Sequence, residues 1–307
     1  MRRRHFLFFV AAILGCLPVR AQQTSQSVEV FCGAELGYAD TNWMRLYDVR
    51  LTATPGVKWF MGHDWLFAFQ ASIPLYCDGY TYNDLKYHFM RVNNVTIAKQ
   101  LHFEEARQHL KLTAGLFGSE RWGADVKWMM PLNDWLLLAA QGGLTNQWVL
   151  GCDLEGQSAA EFNGRWTATF QAGANVFLKQ FNSELRLRGG RYYNEDYGLQ
   201  FDLVNHFRHC SVDLFYQWRM GKRLASQVDT YTDRTNGGFK VIVMLPPYEK
   251  RKASMADPVE FRPASNFRLT NNVRSDGRSM KVYHTDPEEN ERELPVDVKW
   301  GLEAAGE

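Results

Sequence analysis

The fold class is decided by one stretch, residues 184–220: ELRLRGGRYYNEDYGLQFDLVNHFRHCSVDLFYQWRM. Read at every second position, one set is apolar: Leu185, Leu187, Leu199, Phe201, Leu203, Val212, Leu214, Tyr216 and Trp218. The set between is polar: Glu184, Arg186, Arg188, Gln200, Asp202, Ser211, Asp213, Gln217 and Arg219. Successive side chains of a strand point to opposite faces, so each segment predicts a strand with one apolar face. A soluble sandwich would bury that face, whereas a membrane barrel would direct it to lipid.

The same alternation recurs in other segments: SVEVFCGAELGYAD (27–40), WLFAFQASIPLY (65–76), HLKLTAGLF (109–117), RWTATFQAGANVF (165–177) and GFKVIVMLPP (238–247). We predict about a dozen strands between Ser27 and Pro246, many of about 9 to 12 residues, which is the length that a tilted strand needs to cross a bilayer. Aromatic residues near the ends of the apolar sets, such as Trp65, Trp166 and Trp218, are typical of girdles at lipid headgroups. The expected fold is therefore all-β, an antiparallel transmembrane β-barrel of about 12 strands with a polar C-terminal tail.

The N-terminus, MRRRHFLFFVAAILGCLPVRAQQ, has the features of a signal peptide. Arg2, Arg3 and Arg4 precede an apolar run that is too short to span a bilayer as a helix. Cleavage after Ala21 is expected, and the alternative is lipidation at Cys16 within ILGC. Either process predicts export, and the absence of a later apolar run of about 18 residues predicts no transmembrane helix.

Composition limits the partners. The formal net charge is +1, which gives no electrostatic reason to expect nucleic acid. Five cysteines are scattered without a CxxC pair, so their spacing predicts no metal site and no particular disulfide. We expect neither a cofactor nor a metal.

The chain divides into three predicted parts: a signal peptide at 1–21, an outer-membrane barrel at 22–247 and a tail at 248–307. From Tyr248 the sequence is densely charged, with basic EKRK and acidic DPEENERE. We expect this tail to be periplasmic or inserted in the lumen, and partly disordered.

Three features carry a resemblance to a known family. The first is Ala114, Gly115, Trp122 and Gly123 before a turn at Pro131, with Lys127 where an acidic residue is usual. The second is a hairpin of Gly190, Arg191, Tyr192, Tyr193, Asp196 and Gly198, and the third is a final strand from Gly238 to Pro246. Together they resemble the YjbH/GfcD family of exopolysaccharide and capsule proteins over residues 109–246, in a single-unit version. The RAQQ at the signal end is similar to that of exported proteins of Bacteroidetes.

The resemblance implies a non-enzymatic outer-membrane barrel for assembly or export of exopolysaccharide or capsule. Its partners would be outer-membrane lipid, polysaccharide and periplasmic export proteins. The alternatives are a passive porin or structural barrel, and a barrel lipid hydrolase that uses His206, His209 and Ser211.

Candidate lumen-facing residues, which could contact a glycan, are Arg186, Arg188, Arg191, Asp202, Asp213, Gln217 and Arg219. The alternative role for these residues is a cross-strand charge network that fills a closed lumen. The hairpin of Gly190, Arg191, Tyr192, Asp196 and Gly198 is read first as a tight structural turn and second as a glycan contact.

Overall fold

A computed structural model of the chain describes residues 26–39, 48–79, 88–103, 106–118, 120–152, 158–192, 196–207, 209–220, 235–245 and 259–272, together with Thr285 and Pro287. The predicted signal peptide, Cys16 and most of the predicted tail lie outside these residues. No helix in the described part of the chain is long and apolar enough to cross a membrane.

The described strands form one closed β-barrel of 13 strands. Their bounds are β1 Gln26–Ala39, β2 Asp48–Gly62, β3 Trp65–Asp78, β4 Met90–Phe103, β5 Gln108–Phe117, β6 Arg121–Pro131, β7 Leu136–Cys152, β8 Ser158–Leu178, β9 Ser183–Arg191, β10 Tyr197–His206, β11 Cys210–Arg219, β12 Thr235–Leu245 and β13 Val259–Asn272. The prediction of an all-β barrel is confirmed, and the strand number is one above the predicted dozen.

The barrel has two different ends. The turn end holds the start of β1 and the connections 63–64, 104–107, 132–135, 179–182, 207–209 and 246–258. The loop end holds the connections 40–47, 79–89, 118–120, 153–157, 192–196 and 220–234. Five of the six turn-end connections are tight, whereas three at the loop end are long.

The alternation of the sequence becomes an inside and an outside. Polar residues at alternating positions are buried, among them Asn94, Thr145, Asn175 and Asp125, while the apolar residues between them are exposed. Phe201, for example, has 52% of its surface exposed between the buried Asp202 and the half-buried Gln200. Within the described chain the polar set therefore lines the interior and the apolar set forms the outer surface.

The last strand overturns two expectations. β13 lies within the segment expected to be a polar tail, so the barrel continues to Asn272 instead of ending at 247. β13 pairs with β1 in parallel, and so the sheet is mixed rather than wholly antiparallel. With 13 strands the first and last run in the same direction, which makes this seam parallel; Asn272 consequently lies at the loop end.

Many of the described interior side chains are covered by their neighbours. At the turn end Met129, Leu137, Ala139 and Phe177 form a small apolar cluster. Even short interior side chains are covered, since Thr145 has 0% and Asn94 has 1% of its surface exposed.

Candidate functional site

The candidate site is the polar interior wall, and most of the predicted lumen residues lie on it. Arg186, Asp202, Asp213, Gln217 and Arg219 are all buried. Arg188 is half-buried, and its guanidinium donates to the Oδ1 of the buried Asn175 at 2.5 Å. These strands bring charges from distant parts of the sequence to one wall because their register aligns Asp202 with Arg186 and Asp213 with Lys240.

Arg191 is the exception among the predicted lumen residues. Its neighbours in the register are Phe170 on β8 and Tyr197 on β10, and both of these aromatic residues are more than half exposed. Arg191 therefore occupies an outward position at the loop end. The expectation that it faces the lumen is wrong because successive side chains of β9 point to opposite faces of the sheet. Arg186 and Arg188 are two residues apart and share the interior face, whereas Arg191 is three residues further on and lies on the outer face.

A hydrogen-bonded network surrounds Glu184 on the interior wall near the turn end. Its Oε1 accepts from Asn175 Nδ2 at 2.6 Å, and its Oε2 accepts from an Arg186 guanidinium nitrogen at 2.9 Å. His206 Nε2 lies 3.3 Å from the same Oε2. All four side chains are buried, and charge-assisted bonds of this kind offset the cost of burying the carboxylate.

A row of amides crosses the wall nearer the loop end. Asn236 Nδ2 donates to Gln217 Oε1 at 3.4 Å, Gln217 Nε2 to Gln200 Oε1 at 3.0 Å, and Gln200 Nε2 to Asp202 Oδ1 at 2.8 Å. The row follows the register, which places Gln217 opposite both Gln200 and Asn236. Amide and carboxylate groups in such a row are the hydrogen-bonding partners that sugar hydroxyls use.

A second charge cluster lies at the β1–β13 seam. Arg50 donates to Glu35 Oε1 at 2.7 Å, and Arg268 lies opposite Glu35 in the parallel register. Arg91 acts electrostatically on the same carboxylate and pairs with Glu120 at 3.1 Å. The sequence reading considered charges on β9, β10 and β11 alone and missed this cluster, although the polar parity of Glu29 and Glu35 on β1 was already visible.

The glycines of the family-like hairpin have a structural reason. Gly190 and Gly198 lie opposite each other across β9 and β10, and Gly115 and Gly123 do the same across β5 and β6. A Cβ on Gly190 would lie 2.0 Å from the Phe170 carbonyl oxygen, and one on Gly115 would lie 2.1 Å from that of Val95. Gly190 and Gly115 therefore stand where the backbone of the neighbouring strand approaches closely.

The polar residues of the same hairpin are buried at the loop end. Tyr192 has 0% of its surface exposed, and its backbone N–H donates to the Asp196 carbonyl at 2.8 Å. Burial raises the pKa of the Tyr192 hydroxyl well above its usual value, and the Asp202 carboxylate acts in the same direction. The hydroxyl accordingly stays protonated and remains available as a hydrogen-bond donor.

The residues considered for a hydrolase are partly brought together. Ser211 lies directly opposite His206 in the register, but His206 Nε2 is directed at Glu184, whose carboxylate also pairs with Arg186. Both residues have interior positions, whereas the apolar residues lie on the outer surface. Among the residues that the structure describes, no three His, Cys, Asp or Glu side chains converge to hold a metal ion.

These features define the class of protein: a closed 13-strand β-barrel with a polar, charge-paired interior wall and an apolar exterior. The chain matches no family model, no curated protein and no solved structure.

Proposed function

We propose that the protein is an outer-membrane β-barrel that takes part in the assembly or export of exopolysaccharide or capsule. The observation that carries the membrane part is the inverted polarity of the barrel. Between its ends the exposed set includes Ile97, Leu144, Phe170, Leu187 and Leu214, each at least 40% exposed. Contiguous apolar surface of this extent is rare on soluble monomers and typical of lipid contact.

Exposed aromatic residues at both ends support the same proposal. Trp65 and Tyr76 on β3 are eleven residues apart, and both are exposed. Phe207 at the turn end and Trp218 near the loop end of β11 are exposed as well. Eleven residues span about 36 Å along a strand, or about 28 Å along the barrel axis at a tilt of about 40°. That distance fits two girdles around an apolar band of about 25 Å.

The proposal also orients the barrel. Outer-membrane barrels have short periplasmic turns and longer outer loops, so the turn end would face the periplasm. Asn272 would then lie at the outer side, because β13 runs parallel to β1.

The polysaccharide role rests on the resemblance of residues 109–246 to the YjbH/GfcD family, and the amide row supplies suitable hydrogen-bonding groups for it. A passive porin is the alternative that the measurement of solute uptake described below tests directly. A lipid hydrolase is disfavoured because Ser211 and His206 are directed away from the surface that would contact lipid.

The test is deletion of the gene in the organism that encodes the chain. We expect loss of surface polysaccharide, restoration by the wild-type gene, and unchanged uptake of small hydrophilic solutes. Loss of solute uptake with normal polysaccharide would establish a porin instead. A protein absent from the outer-membrane fraction, without heat-modifiable mobility on a gel, would contradict the membrane part separately.

A further inference from the structure

Two histidines face each other across the β4–β5 hairpin at the turn end. His102 is the penultimate residue of β4 and His109 is the second residue of β5, and the register pairs them directly. Their Nδ1 atoms are 2.7 Å apart. His102 is buried and His109 is half-buried.

The orientation of the rings directs both nitrogens to one point. The ring centroids are 4.9 Å apart and the planes are inclined by 77°, so the two Nδ1 atoms approach each other far more closely than the rings do. Two nitrogens at this separation either share one proton or share one metal ion.

The separation is shorter than the spacing of two ligands on a tetrahedral ion. With metal–nitrogen bonds of about 2.0 Å, two adjacent ligands of a square-planar ion are about 2.8 Å apart, whereas two ligands of a tetrahedral ion are about 3.3 Å apart. Square-planar coordination by nitrogen and oxygen is typical of Cu²⁺ and Ni²⁺. We propose that His102 and His109 form a two-histidine site for Cu²⁺, with Ni²⁺ as the weaker substitute and water in the remaining positions.

The β4–β5 hairpin holds the two histidines in position for binding one ion. Both histidines stand on paired strands, since Leu101 is in register with Leu110 and Phe103 with Gln108, so the backbone holds the two rings before an ion binds. Preorganised ligands lose less entropy on binding. Each imidazole binds the ion through an unprotonated ring nitrogen.

The test uses the full chain folded in detergent micelles and titrated with Cu²⁺ alone at about pH 7, with the folded state checked by heat-modifiable gel mobility. We expect one Cu²⁺ per chain and an electron paramagnetic resonance spectrum of an axial centre coupled to two imidazole nitrogens. His102→Gln and His109→Gln should each weaken binding at least about tenfold and leave one coupled nitrogen at most.

His206→Gln is the matched control, because His206 is also an interior histidine at the turn end. It should bind Cu²⁺ like the wild type. The proposal is overturned if the wild type binds no Cu²⁺, which would identify a pair that shares only a proton. It is equally overturned if all three variants bind alike, or if Zn²⁺ displaces Cu²⁺ at equal concentration.

Discussion

The sector of β9, β10 and β11 and the seam between β1 and β13 build the same wall in different ways. In the sector the strands are joined by the connections 192–196 and 207–209 and pair antiparallel. At the seam two strands from opposite ends of the barrel sequence meet in parallel without a connection. A tight turn sets the register of a hairpin, whereas nothing covalent sets it at the seam.

The seam relies on side chains for its register. Glu35 is aligned with the buried Arg268, which acts electrostatically on its carboxylate. Gly33 leaves room for Thr54 and Asn266, since a Cβ there would lie 2.4 Å and 2.9 Å from their side-chain oxygens. Slipping β13 by one residue would turn its polar set outward, so these interior contacts hold the closing strand in place.

The largest effect is expected from removing the closing strand. A chain ending at residue 258 lacks β13 and leaves the edges of β1 and β12 unpaired, at a cost of several kcal/mol per unsatisfied backbone group in lipid. It should fail to give a heat-modifiable folded form. A chain ending at residue 272 is the control and should fold.

One outcome would break the comparison between seam and sector. β12 runs antiparallel to β1, so in the chain ending at 258 these two strands have the directions needed to pair and close a barrel of 12 strands. If it folds as well as the chain ending at 272, side-chain complementarity at the seam is not what closes the barrel.

Charge reversal at the seam is expected to have the next largest effect. Arg268→Glu places a second carboxylate opposite Glu35 at a position where the arginine has only 3% of its surface exposed. Breaking a buried pair costs about 3–5 kcal/mol, which should appear as a lower urea midpoint of unfolding. Adding Glu35→Gln removes the repulsion and should recover much of the loss; no recovery would mean that the two residues do not interact.

The sector is tested by comparing a substitution on its outer face with one on its interior face. Leu214→Arg puts a charge on the outer surface and should cost about 2–4 kcal/mol at mid-bilayer, with a defect in membrane assembly. Asp213→Asn changes the adjacent interior residue and should cost about 1 kcal/mol. If Asp213→Asn blocks assembly and Leu214→Arg does not, the outer surface is not in lipid.

The alternation of polar and apolar residues predicted the strands of the sector because each of them shows it clearly. The alternation did not predict β13, because FRPASNFRLTNN has few apolar residues and includes Pro263, and because the sequence around it is densely charged.

For the candidate site, the sequence predicted which residues of a strand share a face, but not which residues of different strands contact each other. Parity indicated Arg186, Asp202 and Asp213 as one interior set, but the contacts of Glu184 with Asn175 and His206 depend on register between strands. The pairing of His102 with His109 likewise depends on the exact turn, because one residue more or fewer would place the two rings on opposite faces.

The smallest effect is expected from replacing single strand glycines by alanine, and it should differ between Gly190 and Gly142. Gly190→Ala would place a Cβ 2.0 Å from the Phe170 carbonyl oxygen, whereas Gly142→Ala on β7 meets nothing closer than 3.8 Å. Backbone cannot yield as a flexible side chain does, so Gly190→Ala should cost about 1–3 kcal/mol of unfolding free energy, while Gly142→Ala should be neutral or slightly stabilising. Urea unfolding of both variants in the same detergent measures the difference. Equal midpoints would show that the hairpin glycines are not needed for backbone approach, and the family-like motif would then require a role in binding rather than in the tight packing of β9 against β8.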